Sequence, residues 1–276
     1  MNRSLAIVAF TALLSLVSTR ADVPALAKIK ASAEAGNAEA QYTFAKTFGA
    51  GGSDWTKWLS TAAAQGYGPA EDELAWVLNW PYFQANQTDP KSRAYQLKSN
   101  GAKMRQALIY ASSAADKGFG RSRMILAMAY ANGYFVQQDL VEAYKWIKLS
   151  QNGDITSDVV AASERDRLLK TMPLQQVKDG EARAANYRPG NTAHQIRNAM
   201  VVPCLKLAGI VTSDGEKLAL VNGSRLKAGH EAQLNVEGLP VKVFCVSIDA
   251  KTAVICLPPD STKITLRPGI AAEIGH

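Results

Sequence analysis

Four glycines impose a recurring register on the first two thirds of this chain. Gly36, Gly66, Gly118 and Gly153 close the stretches Ala33-Glu-Ala35, Ala62-Ala-Ala-Gln65, Ala114-Ala-Asp-Lys117 and Ser150-Gln-Asn152. Four residues past each glycine stands a small residue: Ala40, Ala70, Ser122 and Ser157. Eight past the first three stand Phe44, Leu74 and Leu126, and twelve past stand Phe48, Leu78 and Tyr130. Steps of four keep positions on one face of a helix. Seven or eight residues before the last three glycines comes an aromatic: Trp58, Tyr110 and Trp146. Each glycine then caps one helix through its tolerance of positive φ, and the next helix starts at once. Small residues let paired helices approach, bulky ones fill the space between pairs, and the pairs must stack to bury their apolar faces.

The glycines are spaced by 30, 52 and 35 residues, so the middle interval is long by about half a repeat. The excess falls in residues 79–104. Its stretch from Asn79 to Pro90 holds two prolines among polar residues, which predicts an extended loop with at most a short helix. Trp80, Tyr82 and Phe83 lie in it, either folded back on the helices or exposed as candidate protein-binding aromatics.

One interval carries a fuller pattern: Tyr110, Gly118, Tyr130, Gly133, Asp139, Ala143 and Trp146 in order, with Gly36-Asn-Ala-Glu-Ala40-Gln41 as a second copy. This pattern resembles the Sel-one-like repeat, a relative of the tetratricopeptide repeat, over residues 25–188. Thr171-Met-Pro173 through Tyr187 looks like the closing helix of such arrays, with Gly180 a departure from the pattern. The resemblance implies a curved α-solenoid used for protein–protein contact in bacterial envelope or secreted proteins.

After Pro189-Gly190 the texture changes. Residues 205–211, 217–221, 239–248, 252–257 and 262–266 read as strands, with Asp214-Gly215 and Asn222-Gly223 as turns. The whole is therefore expected to be an α+β chain: an N-terminal α-solenoid of helix-turn-helix repeats at 22–190, then a small antiparallel β-barrel or sandwich domain at 191–276. The order of strand and glycine motifs resembles the β domains of PilP and GspC/GspB pilus-assembly and secretion proteins. That resemblance implies docking to another envelope protein, without catalysis.

The three cysteines, Cys204, Cys245 and Cys256, all lie in this last third. If residues 249–252 form a hairpin loop with Ile248 facing Ala253, an unbroken ladder puts Cys245 opposite Cys256, with Phe244, Val246, Ile255 and Leu257 on the core face. A Cys245–Cys256 disulfide is then within geometric reach. Two buried thiols, or pairing through Cys204, are the alternatives.

Residues 1–21 have the layout of a signal peptide: Arg3, an apolar run from Leu5 to Val17, and small residues at Thr19 and Ala21 around a cleavage point before Asp22. The run is short for a bilayer, and the alternative is an uncleaved anchoring helix. Cleavage predicts a periplasmic or secreted protein of a Gram-negative-type bacterium, with no stable membrane insertion. Removing Arg3 and Arg20 leaves 29 basic against 24 acidic residues, spread evenly, which does not make a nucleic-acid surface.

Searches for chemistry return little. Ser224-Arg-Leu-Lys227 has the spacing of a serine nucleophile beside a lysine, but falls in a turn and strand region without companion motifs. His194, His230 and His276 lack ligand spacing, and no glycine-rich phosphate loop precedes a helix, so no metal or cofactor is expected. The reading favoured is a non-catalytic, exported interaction scaffold with a docking β module and an envelope or secreted protein as partner. The alternatives are a structural component of a type II secretion or pilus-like machine, and a cell-wall or β-lactam-related hydrolase. The cysteine-paired repeats of the hydrolase-linked class are missing before Cys204.

Overall fold

The computed structural model describes residues 22–48, 52–86, 90–151, 155–259 and 261–274; side chains at 22–23, 80–86, 90, 92–94, 96–98 and 155–157 are outside the description. The expected signal segment, 1–21, and His276 lie outside the described residues. The chain divides into two compact units between Glu71 and Asp72.

The first unit holds α1 (Asp22–Glu34), α2 (Ala38–Ala45), α3 (Ser53–Ala64) and the start of α4 (Gly68–Asn86). Gly36, at φ +96°, makes the turn from α1, and Asn37 caps α2 by accepting from the Ala40 amide at 2.8 Å. The same positive φ recurs at Gly66 after α3. Ala33, Ala62 and Ala63 are buried where the helices meet. Phe44 fills the space beside them, edge-on to Trp58 with centroids 5.4 Å apart. Buried Gln41 joins the helix ends, donating to the Ala33 carbonyl (3.1 Å) and accepting from Gln65 (2.7 Å).

The second unit continues with α5 (Pro90–Asp116), α6 (Gly120–Asn132), α7 (Leu140–Ser150), α8 (Ile155–Leu169), α9 (Leu174–Ala185) and α10 (Thr192–Val201). The expected loop is corrected to helix over 79–86 and from Pro90 on. α4 runs through Pro81 to Asn86, and α5 starts on Pro90, where a missing N–H costs nothing in a first turn. The surplus half repeat is taken up by helix length, with α5 bent at Asn100 (φ −119°, ψ 15°). Buried Asp72 of α4 ties to the start of α6, its carboxylate accepting from the Ser122 amide (3.1 Å) and hydroxyl (2.7 Å) and from Arg121 Nε (2.9 Å). α6 is buried nearly all round by Ile125, Leu126, Ala127, Met128 and Ala129 and packs on both α5 and α7.

Among the described residues the β region forms two antiparallel sheets and no closed barrel. Strands β1 (Leu207–Ser213), β2 (Glu216–Val221) and β3 (Ser224–Lys227) form one; β4 (Glu231–Val236), β5 (Leu239–Ile248), β6 (Ala253–Cys256), β7 (Ile264–Leu266) and β8 (Glu273–Ile274) form the other. Two-residue turns with positive φ at both positions join three of the hairpins: Asp214-Gly215, Asn222-Gly223 and Glu237-Gly238. β3, β4 and β8 were not expected, and residues 192–201 precede the strands as a helix packed on α5. The expected boundary at 190/191 falls inside the second unit. There one apolar core runs from Ala75 to Leu266, shared by helices and sheets. The Glu237-Gly238 turn docks on α5: Arg105 donates to the Glu237 carbonyl at 3.0 Å, and a Cβ on Gly238 would lie 2.7 Å from that of Ala102.

Candidate functional site

Four residues of the repeat pattern, Gly133, Asp139, Ala143 and Trp146, build the junction between α6 and α7. Gly133 ends α6 in the left-handed conformation (φ +68°), and Asp139 starts α7, its carboxylate accepting from the Glu142 amide at 2.9 Å. One and two turns on, Ala143 and Trp146 are almost fully buried in the core. Trp146 meets Tyr187, just beyond α9, edge to face at 5.2 Å. Lys145 lies over both rings, 4.1 Å from the Trp146 centroid and 5.4 Å from that of Tyr187, and pairs with Glu142. α9 fits against α7 because of Gly180: a Cβ there would stand 2.9 Å from Tyr144 Cδ1 and 3.2 Å from the Val141 carbonyl. The glycine that departs from the repeat pattern is thus what lets the closing helix dock.

A polar network covers this contact. Arg183 of α9 bridges Asp139 (3.0 Å) and Glu142 (3.2 Å). Burial pushes the Asp139 carboxyl upward, but the Glu142 amide and the Arg183 guanidinium outweigh it and hold it below the usual carboxylate range. The hydrogen bond to Asp139 raises Arg183 in turn. Asp116, at the end of α5, accepts from the Tyr187 hydroxyl and from the Thr192 amide (3.1 Å) and hydroxyl, which caps α10. Burial and the Asp116 carboxylate push the Tyr187 phenol up to about 12. Arg123 joins α5 to α7 through the carbonyls of Ala115 (3.0 Å) and Leu149 (2.6 Å). Around Lys145, Arg183, Arg188 and Gln195 opens a polar recess of about 440 Å³.

Other expected sites fare differently. The side chains of Trp80, Tyr82 and Phe83 lie outside the described residues; their backbone belongs to α4 rather than to a loop. The Cys245–Cys256 pairing is not formed, and all three cysteines are free. The hairpin starts as expected with Ile248 opposite Ala253, but Val246 bulges, so Cys245 faces Ile255 and Phe244 faces Cys256. The bulge also exchanges the faces of β5: Val241, Val243 and Cys245 are buried, while Phe244 and Val246 are half-buried. Ser224 and Lys227 sit on strand β3, where positions three apart face opposite ways, and Lys227 pairs with Glu216 at 2.7 Å. His194 belongs to α10. Among the described residues no cluster of His, Cys, Asp or Glu is arranged to hold a metal, and no helix is long and apolar enough to cross a membrane. The recess itself was missed.

No family model and no curated protein matches the chain. Among the similar solved structures are two at 20% identity. One is a protective antigen of uropathogenic Escherichia coli displaying an SLR fold, with a TM-score of 0.37 over 68% of this chain. The chain spans 43% of that protein's length. The other is a Sel1 repeat protein from Oxalobacter formigenes, with a TM-score of 0.26 over 59% of this chain and 78% of that one.

Proposed function

We propose that this chain is a non-catalytic protein–protein interaction scaffold built from Sel-one-like repeats. The observation that carries the reading is what the signature residues do. Gly133 and Asp139 cap consecutive helices, and Ala143 and Trp146 bury the contact between them. These are packing tasks, which leave the polar residues around them for recognition rather than for turnover. The signal-like segment at 1–21 supports export to the periplasm or beyond, with an envelope or secreted protein as partner. The strand motifs after residue 205 support a docking role for the sheets, which would act as one body with α5 through Arg105 and Gly238.

The test is capture of envelope proteins on the immobilised chain from Asp22 onward, with the heat-unfolded chain as control. Saturable retention of a defined protein by the folded chain alone is expected. Retention of nothing, or turnover of a small molecule by the purified chain, would overturn the reading. Export is checked separately by the amino terminus of the protein recovered from cells: Asp22 is expected, and a retained Met1 contradicts it.

A further inference from the structure

We infer that two copies of this chain associate by antiparallel pairing of their β1 strands, which joins their three-stranded sheets into one. Among the described residues the sheets have four edges: β1, β3, β4 and β8. Three of them are guarded in ways that discourage pairing. β3 carries Arg225 and Lys227, β4 carries Glu231, and β8 is two residues long and includes Glu273. β1 is seven residues long and has neither a charge nor a proline. Its one irregularity, the register break between Leu207 and Gly209, lies at its start and leaves 209–213 regular. The outer backbone groups of that stretch have no partner among the described residues.

There is room beside this edge. Val211 is 40% exposed in the middle of the strand, and an apolar hollow of about 480 Å³ opens at its start, lined by Leu205, Leu207, Ile270 and Ala271. What selects a second copy over any other strand is charge. Lys206 precedes β1 and Asp214 follows it, both exposed and neither ion-paired among the described residues. An antiparallel pair centred on Ile210 sets Val211 of each copy against Gly209 of the other, where no side chain competes for space. The same register brings Lys206 of each copy to Asp214 of the other, so an ion pair closes both ends. A parallel pair would put Lys206 beside Lys206 and Asp214 beside Asp214. One pair of strands falls short of the area of a permanent dimer, so the association is reversible.

The experiment is sedimentation equilibrium of the protein recovered from cells, over a range of concentrations, with hydrogen exchange of the β1 amides as second readout. A monomer–dimer equilibrium is expected, with exchange at 209–213 slowing as concentration rises. Val211→Lys puts a charge in the middle of the edge and should weaken association about tenfold or more. Lys206→Glu should weaken it severalfold, the scale of exposed charge pairs. Adding Asp214→Asn should recover most of that loss, because Asn-Gly keeps the turn and removes the like charge. All three positions are exposed, and unchanged melting temperatures of the dilute variants verify folding. A chain that stays monomeric up to about 300 µM overturns the inference and leaves the edge to a strand of another protein. A dimer indifferent to Val211→Lys, or a Lys206→Glu loss that Asp214→Asn does not relieve, overturns it as well. The scaffold reading is judged by partner capture and survives each of these failures.

Discussion

The contact between α7 and α9 and the hairpin between β5 and β6 each depend on one residue, and they differ in how that residue reports itself. In the helical contact the decisive residue is Gly180, whose missing Cβ admits Tyr144. In the hairpin it is Val246, which bulges and exchanges the buried face of β5. A helix holds its side chains to fixed positions turn by turn, so a small residue in register stays where the spacing puts it. A strand has period two, and one unpaired residue moves everything beyond it to the other face.

Four substitutions or measurements sharpen this contrast. The largest effect should follow Trp146→Ala, which empties a fully buried site under Tyr187 and Lys145 and should cost about 3–5 kcal/mol in denaturant unfolding. A loss below about 1 kcal/mol would remove Trp146 from the core. Gly180→Ala comes next, at about 1–3 kcal/mol, because the added methyl meets a ring and a backbone carbonyl.

Asp139→Ala should cost about 0.5–2 kcal/mol through loss of the α7 cap. Asp139→Asn keeps a capping side chain and isolates the charge. Since the Asp139 carboxyl is held below its ordinary value, its charge stabilises the fold above the unfolded carboxylate pKa, about 3.9. That advantage is lost as pH falls through the folded value. The stability gap between wild type and Asp139→Asn should be constant near neutrality and close in acid. A gap that widens in acid would contradict the Arg183 pairing.

The smallest effect is expected in the hairpin. Three thiols should titrate in the unfolded, unreduced protein, and reductant should leave the melting temperature unchanged. A single titratable thiol would restore the unbroken ladder and the Cys245–Cys256 bond.

The same contrast explains what was legible. The helix turns at Gly36, Gly66 and Gly118 could be read from spacing, as could the Asp214-Gly215 and Asn222-Gly223 hairpins, because glycine at positive φ is a local requirement. The Glu237-Gly238 hairpin was hidden, since glutamate gives no turn signal and its strained φ of +52° is supported by Arg105 from α5. The helices that end at Asn86 and begin at Pro90 were hidden for a related reason. Pro90 reads as a breaker until its place in a first turn is known. The recess joins Lys145 and Glu142 to Arg183 and Arg188 across some forty residues of chain, and only the docking of α9 brings them together.

The most direct test of the account is a double-mutant cycle between Gly180 and Tyr144. If register-locked close approach holds the closing helix, Tyr144→Ala should relieve part of the Gly180→Ala penalty, giving a coupling of about 1 kcal/mol or more in denaturant unfolding. Losses that add within about 0.5 kcal/mol would mean the two helices do not meet at that register, and the repeat reading of this half of the chain would fail with them.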